Sequence, residues 1–356
     1  MGMMTIAVYG AYGYQGRLVL DAVLGREAEV LLVGRRAEAL REAADRTGKH
    51  GLEQRIAEVE DASALRAAFA EADVVVNCAG PFTATGRLVA QAAIGAGCHY
   101  LDTAGEQAYV KALHDELHGR AEDAQATVVP AMTDGGTSGD LLARELGTRL
   151  GPLETLVVAH ILVGGGSPSR GTLRSALTLA ASSPNGGLAY DHGAWRAGAE
   201  IAPTSLVPPG ADEPAAFTAF PLPEVVTIPR HVRVGRVSGV IESGLADRLA
   251  GPIDPRFIDR LPAGPTPHDR ETQRFTVLVR ATTADGRTAR GIARGTDTYG
   301  TTARLVAEAA VRIARQQHPP VGVLSPTEAF SPDGLLEIIE ACGVTCAYEE
   351  HSTRRA

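Results

Sequence analysis

Thr5-Ile6-Ala7-Val8-Tyr9-Gly10-Ala11-Tyr12-Gly13-Tyr14-Gln15-Gly16 is the stretch on which the fold of this 356-residue chain turns. Five β-branched and apolar residues run straight into glycines at 10, 13 and 16. Leu18, Val19, Ala22 and Val23 then recur on one side of the run that follows. The pattern predicts strand, tight turn, helix. Gly10 allows the turn, Gly13 lets the backbone approach a pyrophosphate, and Gly16 lets helix and strand pack closely. The helix N-terminus then offers free N–H groups and a partial positive charge to phosphates. An ordinary glycine-rich turn accounts for three glycines, but not for their place between a strand and an amphipathic helix. Gly10, Tyr12, Gly13, Tyr14, Gln15 and Gly16 are therefore candidate cofactor-binding residues.

Working outward, 30–33 reads as a second buried strand that ends in Gly34-Arg35-Arg36. An NAD binder is expected to carry an acid there, roughly 20 residues past the glycines, for the ribose 2′-hydroxyl. Arg35 and Arg36 instead match a 2′-phosphate in charge and shape, so NADP(H) is the expected cofactor. Helix 37–47, a short strand over 54–59 and helix 62–70 follow. Asp61 is placed either to meet the adenine amine or to cap that helix. The apolar run 73–78 suits a parallel strand covered on both faces. It ends in Ala79-Gly80-Pro81-Phe82, a small strand end that lets the ribose and pyrophosphate approach the backbone. Helix 86–96, strand 99–102, helix 106–122 and strand 126–130 complete an alternation that predicts an α/β fold with a doubly wound parallel sheet of Rossmann type.

Beyond residue 150 the alternation changes character. A strand over 155–163, a glycine-rich loop over 164–171 and a helix from 172 come first. Residues 202–223, with six prolines, and 252–267 read as long loops, and 225–240 between them as mainly strand. Ala284-Asp285-Gly286 marks a hairpin, helix 301–316 follows, and 332–342 reads as an amphipathic helix docked on the first domain. The expected division is a Rossmann domain over 1–150, completed by 320–346, with an inserted α+β substrate and dimerisation domain over 151–319. The 164–171 loop feeds a helix N-terminus, which marks Arg170 as a candidate anchor for an anionic substrate group. Asp297 and Tyr299, just before helix 301–316, are candidate proton donors, although Asp297 also suits a helix start. Tyr190-Asp191-His192-Gly193-Ala194-Trp195 reads as a strand whose Asp191 and His192 point to opposite faces.

The net charge of −8 and the lack of basic runs argue against nucleic acid. Cys78, Cys98, Cys342 and Cys346 are too few and too scattered for a disulfide framework. Cys342 and Cys346 read as four apart on one helix, without the companions a zinc site needs, so no metal is expected. No apolar stretch has the length of a membrane span, which leaves the cytoplasm as the expected location. Of 34 Lys and Arg residues only Lys49 and Lys111 are lysine. No Tyr-x-x-x-Lys occurs, which disfavours short-chain dehydrogenase chemistry.

Gly10 to Gly16, the Gly34-Arg35 strand end, Asn77-Cys78-Ala79-Gly80-Pro81-Phe82 and His99-Tyr100-Leu101-Asp102-Thr103-Ala104-Gly105-Glu106 occur in order at familiar spacings. With Gly322-Val323-Leu324-Ser325-Pro326-Thr327-Glu328-Ala329-Phe330 near the C-terminus, the chain resembles the saccharopine dehydrogenase-like oxidoreductases. That group includes saccharopine reductases and trans-acting enoyl reductases. The resemblance implies a Rossmann domain with an inserted α+β domain, an active site between them, and a homodimer. It also implies an NADP(H)-dependent enzyme that reduces a C=N or activated C=C bond of a small, anionic metabolite. Asp134 and Asp140 match the family pattern, whereas its Gly-Phe-Asp loop is replaced by Thr133-Asp134-Gly135-Gly136-Thr137-Ser138-Gly139-Asp140. The candidate catalytic residues are Asp134, Arg170 and Tyr299. A protein that binds NADP as a sensor or scaffold, without hydride transfer, is the alternative.

Overall fold

The computed structural model describes residues 4–182, 186–197, 203–250 and 254–351. The expected alternation opens with β1 (Thr5–Tyr9), α1 (Tyr14–Leu24), β2 (Glu29–Gly34), α2 (Ala37–Arg46), β3 (Glu53–Ile56) and α3 (Ala62–Phe69). It goes on through β4 (Val74–Asn77), α4 (Phe82–Gly95), β5 (His99–Asp102), α5 (Gln107–Asp123), β6 (Thr127–Val129) and α6 (Asp134–Leu150). The second region holds β7 (Leu153–Val163), α7 (Arg170–Ser182), β8 (Leu188–Asp191), β9 (Ala194–Ala197), β10 (Ser205–Leu206) and β11 (Ala215–Ala219). Next come α8 (Glu224–His231), β12 (Val234–Glu242), α9 (Ser243–Ala250), α10 (Pro255–Ile258), α11 (Pro267–Thr272), β13 (Arg274–Thr282) and β14 (Thr288–Thr296). The chain closes with α12 (Thr298–Arg315), β15 (Gly322–Val323), α13 (Pro326–Ala329), α14 (Pro332–Ala341) and β16 (Thr345–His351).

The first sheet is parallel throughout, in the order β15-β6-β5-β4-β1-β2-β3. Alternation along β1 sends Ile6 and Val8 into one apolar cluster and Ala7 and Tyr9 into another on the opposite face. The strand order reverses between β1 and β4, so a crevice opens beyond their carboxyl ends. The second sheet is mixed, in the order β10-β11-β12-β7-β13-β14-β16, with β8 joining β12 to β9. α6 lies between the sheets, since Leu141, Leu142 and Leu146 share one apolar cluster with Ile6 and Val8 of the first and Leu156, Val277 and Ala293 of the second.

Several expectations need correcting. Residues 224–231 form α8, not strand: Val225, Val226 and Ile228 are buried all round, so no period separates the two forms, and Pro229 could not donate to a ladder. The proline-rich 202–223 stretch contains the short strands β10 and β11, which pair with each other (residue 202 lies outside the described residues). The 252–267 stretch holds α10, with residues 252 and 253 outside the described ones. Residues 134–140 open helix α6. Cys342 caps the end of α14 while Cys346 stands on β16, so they do not share a helix. Residues 190–195 form a hairpin rather than one strand. Its turn at His192 and Gly193 (φ 44° and 93°) lets His192 Nδ1 meet Asp191 Oδ1 at 2.8 Å. The tail helix α14 buries Leu335, Ile338 and Ile339 in the cluster shared by α6 and α12, after which β16 pairs with β14.

Candidate active site

The glycine stretch folds as a tight cradle. Gly10 (φ 79°) donates to the Val33 carbonyl and accepts from Gly13 N, both at 2.9 Å. A Cβ on Gly16 would lie 2.1 Å from the Gly10 carbonyl oxygen, so helix and strand close only around glycine. Gly13 is the N-cap of α1, and no side chain among the described residues caps that helix. α4, the other helix starting at the switch point, is closed: Glu106 accepts from Phe82 N (2.9 Å) and Thr83 N (2.7 Å). The open helix terminus at the crevice is therefore that of α1, where the N–H groups and helix dipole favour phosphate.

At the outer end, Gly34 leaves room for the Tyr12 ring, and the Arg36 guanidinium lies 4.7 Å above that ring. A cavity of about 350 Å³ opens here, lined by Tyr12, Arg17, Arg36, Glu38 and Glu42. Arg17 Nε is buried and has no hydrogen-bond partner among the described residues. Arg17 escaped the sequence reading, although it directly follows the third glycine. Arg35 stands outside this cavity, where its charge acts on the Tyr9 hydroxyl. Asp61 caps α3, accepting from Ser63 N (3.0 Å) and Ala64 N (2.9 Å).

The small strand end after β4 is divided in its exposure. Ala79 presses on Gly10, Gly80 is exposed at the rim with Pro81 half-buried, and Phe82 turns inward against Tyr109 (ring centroids 5.6 Å apart). Ser175 of α7 donates to Glu106 at 2.6 Å, which draws α7 over the crevice as a roof. Beneath runs a buried chain of hydrogen bonds. Asn77 donates to Tyr100 (3.0 Å), the Tyr100 and Tyr109 hydroxyls meet at 2.8 Å, and Tyr109 donates to Asp102 (2.7 Å). Asp102 also accepts from Ala104 N (3.0 Å) and Ala131 N (2.9 Å), tying the ends of β4, β5 and β6 together.

Burial pushes the Asp102 carboxyl from 3.8 up to about 6, against the pull of its donors, Tyr109 first. The folded chain thus holds a proton that the unfolded chain has released, so this group's stabilising contribution declines as pH rises. Asp102→Asn should gain stability relative to wild type by up to about 3 kcal/mol as the pH is raised from near 3.8 through about 6, read by urea unfolding at each pH. A constant difference across that range would show that Asp102 does not titrate there.

α6 explains the glycine-rich stretch after β6. Thr133 caps it by accepting from Gly136 N at 2.9 Å. Gly135 and Gly139, four apart, lie on one helix face. A Cβ on Gly135 would come within 2.3 Å of the His160 ring, and one on Gly139 within 3.0 Å of Glu224 Cγ. The bare groove seats a dyad in which His160 Nε2 and Glu224 Oε1 are 2.7 Å apart. Glu224 is fully buried, its Oε2 has no partner among the described residues, and His160 remains 24% exposed. Burial alone would lower the His160 pKa, but the charge and hydrogen bond of Glu224, joined by Asp134, outweigh it and raise it. Burial likewise pushes Asp134 up to about 6, with His160 and the Thr302 hydroxyl, at 3.0 Å, pulling the other way. His160 and Glu224 are 64 residues apart and were not singled out from sequence. The available signal was a polar residue inside or heading an apolar run.

The first turn of α12 joins this dyad to the cradle. Gln15 donates to the Tyr299 carbonyl at 3.1 Å, Tyr14 packs edge-on against the Tyr299 ring (5.1 Å), and Thr302 reaches Asp134. The Tyr299 hydroxyl accepts from Ser169 N and meets Thr172 Oγ1, both at 2.8 Å, at the start of α7. Ser169 itself caps that helix by accepting from Thr172 N at 3.1 Å. Arg170 donates from Nε to the Leu261 carbonyl at 2.7 Å, which ties α7 to the 261–265 loop. Asp297 caps α12 and pairs with Arg270 at 2.7 Å. Asp140 is also engaged, paired with His231 (2.8 Å) and accepting from Thr327. The structure thus gathers Tyr14, Gln15, Tyr299, Thr302, Asp134, His160 and Glu224, with Arg170 on the far side of Tyr299.

Residues 6–130 match the family model of the saccharopine dehydrogenase NADP binding domain. The chain is similar to saccharopine dehydrogenase-like oxidoreductases. A trans-acting enoyl reductase of Mycobacterium tuberculosis (strain ATCC 25618 / H37Rv) is 27% identical over 406 residues, covering 95% of this chain and 96% of the relative. A lipid droplet localized protein of Caenorhabditis elegans is 28% identical over 37% of this chain and 33% of its own length. The fold matches that of apo saccharopine dehydrogenase (L-Glu forming) from Saccharomyces cerevisiae. The TM-score is 0.63 with 16% identity, over 98% of this chain and 100% of that one. The chain is an NAD(P)-dependent oxidoreductase. Its matched domain takes in the cradle, Arg36 and Glu106 but ends before α6, so the His160–Glu224 dyad lies outside it. Among the described residues no helix is long and apolar enough to cross a membrane.

Proposed function

We propose that this chain is an NADP(H)-dependent reductase of an activated C=C or C=N bond in a small metabolite. The activity named for its enoyl reductase relatives favours C=C. The observation that carries the proposal is the bridging first turn of α12: one side holds the glycine cradle through Gln15, and the other holds Asp134 beside His160 and Glu224. A histidine whose protonated form Glu224 favours is thereby linked, through Asp134 and α12, to the loop that would seat the dinucleotide. The cofactor fits the residues present. Gly16 admits no Cβ, α1 is uncapped, and Arg17 keeps a buried unpaired donor beside Arg36.

When bound, the reduced nicotinamide supplies the hydride. The chain's own residues do the rest. Gly13 and the start of α1 hold the pyrophosphate, while Arg17 and Arg36 take the 2′-phosphate. Glu106 and Asn77 brace the strand ends beneath. His160, whose protonated form Glu224 favours, gives its proton to the substrate atom left electron-rich by reduction. Tyr299 orients the cradle side of the site, Asp134 adds to the field that favours the charged form of His160, and Arg170 meets an anionic part of the substrate. The test mixes the protein with NADPH and panels of enoyl thioesters and cyclic imines and follows loss of the reduced cofactor. Turnover of either class supports a reductase. Tight NADPH binding with no turnover of any member would favour the sensor or scaffold reading.

Cofactor preference follows from the outer cavity. Each charge-assisted bond to the 2′-phosphate contributes about 1.5–3 kcal/mol, so NADPH should bind about tenfold or more tightly than NADH. Arg36→Gln and Arg17→Gln should each remove most of that preference and leave NADH affinity unchanged. Fluorescence titrations that give equal affinities for the two cofactors in the wild type would overturn the assignment.

A further inference from the structure

The face of the second sheet turned away from α6 carries a pocket of about 310 Å³ that the crevice does not use. Leu156 and Val158 of β7 join the cluster around α6, while Val157, Ala159 and Ile161 belong to a separate outer cluster. On that outer face the register sets two adjacent rows across three strands. Arg236, Thr155 and Thr282 form one, and Ser238, Val157 and Arg280 the next. All six line the pocket. Its polar lining is thus two guanidinium groups and three hydroxyls, with Ser238 buried at its floor.

The charges are incompletely matched. Arg236 pairs with Glu154 at 2.9 Å through one terminal nitrogen, but its Nε is buried without a partner among the described residues. Arg280 stands directly across from Arg290 in the β13–β14 register. Arg290 is paired with Glu349 at 2.6 Å, whereas Arg280 is exposed and has no ion pair or hydrogen bond among the described residues. Asp191, the other acid beside Arg236, is taken by His192 and Arg196. Like charges set opposite on a sheet oppose its pairing, and a planar guanidinium is the natural complement of a carboxylate or phosphate. The volume exceeds that of a bare ion and reaches the lower end of metabolite pockets.

We propose that this pocket is a second ligand site for a small metabolite bearing a carboxylate or phosphate, with Arg280 as the main anion partner and Arg236 Nε as the second. The test uses the full chain saturated with NADPH, so that phosphate is kept out of the Arg17–Arg36 cavity. Inorganic phosphate and succinate are titrated separately by calorimetry. At least one should bind saturably at one site per chain, and which one does so identifies the anion. Arg280→Gln should weaken it about tenfold or more, and Arg280→Lys, which keeps the charge but loses the fork, by less. Arg236→Gln should also weaken it, while Arg256→Gln, an exposed arginine paired with Asp254 elsewhere, should not. NADPH affinity should be unchanged in all four. Relief of the Arg280–Arg290 opposition means that Arg280→Gln should melt no lower than wild type. Failure of both anions to saturate, or wild-type binding by Arg280→Gln, would overturn the proposal. Should NADPH itself fail to bind, phosphate heat that survives Arg280→Gln would belong to the Arg17 cavity instead.

Discussion

Gly16→Val should abolish dinucleotide binding and destabilise the chain, whereas Gly13→Val should abolish binding with the fold retained. The difference is geometric. A Cβ at Gly16 would sit 2.1 Å from the Gly10 carbonyl oxygen, inside the contact that packs α1 on β1. Opening that contact costs about 1–3 kcal/mol or more in a packed core. A Cβ at Gly13 meets only the same oxygen at 3.2 Å, a distance small shifts absorb. Its branched tip would instead fill the space over the uncapped helix terminus where the pyrophosphate is expected. NADPH fluorescence titration should show a loss of about a hundredfold or more for both variants, equivalent to about 2.7 kcal/mol. Thermal melts should separate them. A well-folded Gly13→Val protein that binds NADPH normally would place the cofactor elsewhere.

His160→Asn should lower kcat by a factor of about 10² to 10⁴ with NADPH affinity little changed, the range expected when a positioned proton donor is removed. Glu224→Gln tests how that donor is tuned. The glutamate's charge and hydrogen bond hold the imidazole pKa above its ordinary value against burial. Without the charge the imidazole loses its proton at lower pH. The limb on which the rate falls with rising pH should therefore move to lower pH, while activity below it persists. Steady-state kinetics across pH decide the matter. A His160→Asn enzyme with wild-type kcat, or a Glu224→Gln profile that coincides with wild type, would remove the dyad from the chemistry.

Residue types next to one another in the chain carried the first half of the fold. Glycines at 10, 13 and 16 have geometric duties that any reader of the stretch can assign, because turn, close approach and helix entry are all local events. The buried parallel strands announced themselves as short apolar runs at regular intervals, and Gly34-Arg35-Arg36 pointed to the end of the second strand. Even there local reading had a limit: Arg35 and Arg36 are neighbours, yet only Arg36 lines the cavity, and Arg17 enters it from another element. Residues 224–231 show the same limit in secondary structure, since a run buried on every side has no period to read.

What the amino-acid sequence determined by itself was the strand-turn-helix cradle, the doubly wound sheet and the kind of ligand that such a turn accepts. What tertiary structure alone decided was the chemistry placed beside it. Asp134 was visible as a residue, but its raised pKa comes from burial, and its neighbours His160 and Thr302 come from β7 and α12. Gly135 and Gly139 are glycines on one face of α6 because His160 and Glu224 occupy the groove that they leave. Arg170 and Tyr299 were chosen from the sequence for their side chains. Their hydrogen bonds to Leu261, Ser169 and Thr172 exist only because α7, α12 and the 261–265 loop converge. Backbone propensity and periodicity act over a few residues, whereas a proton donor's pKa and reach depend on groups brought together from distant parts of the chain.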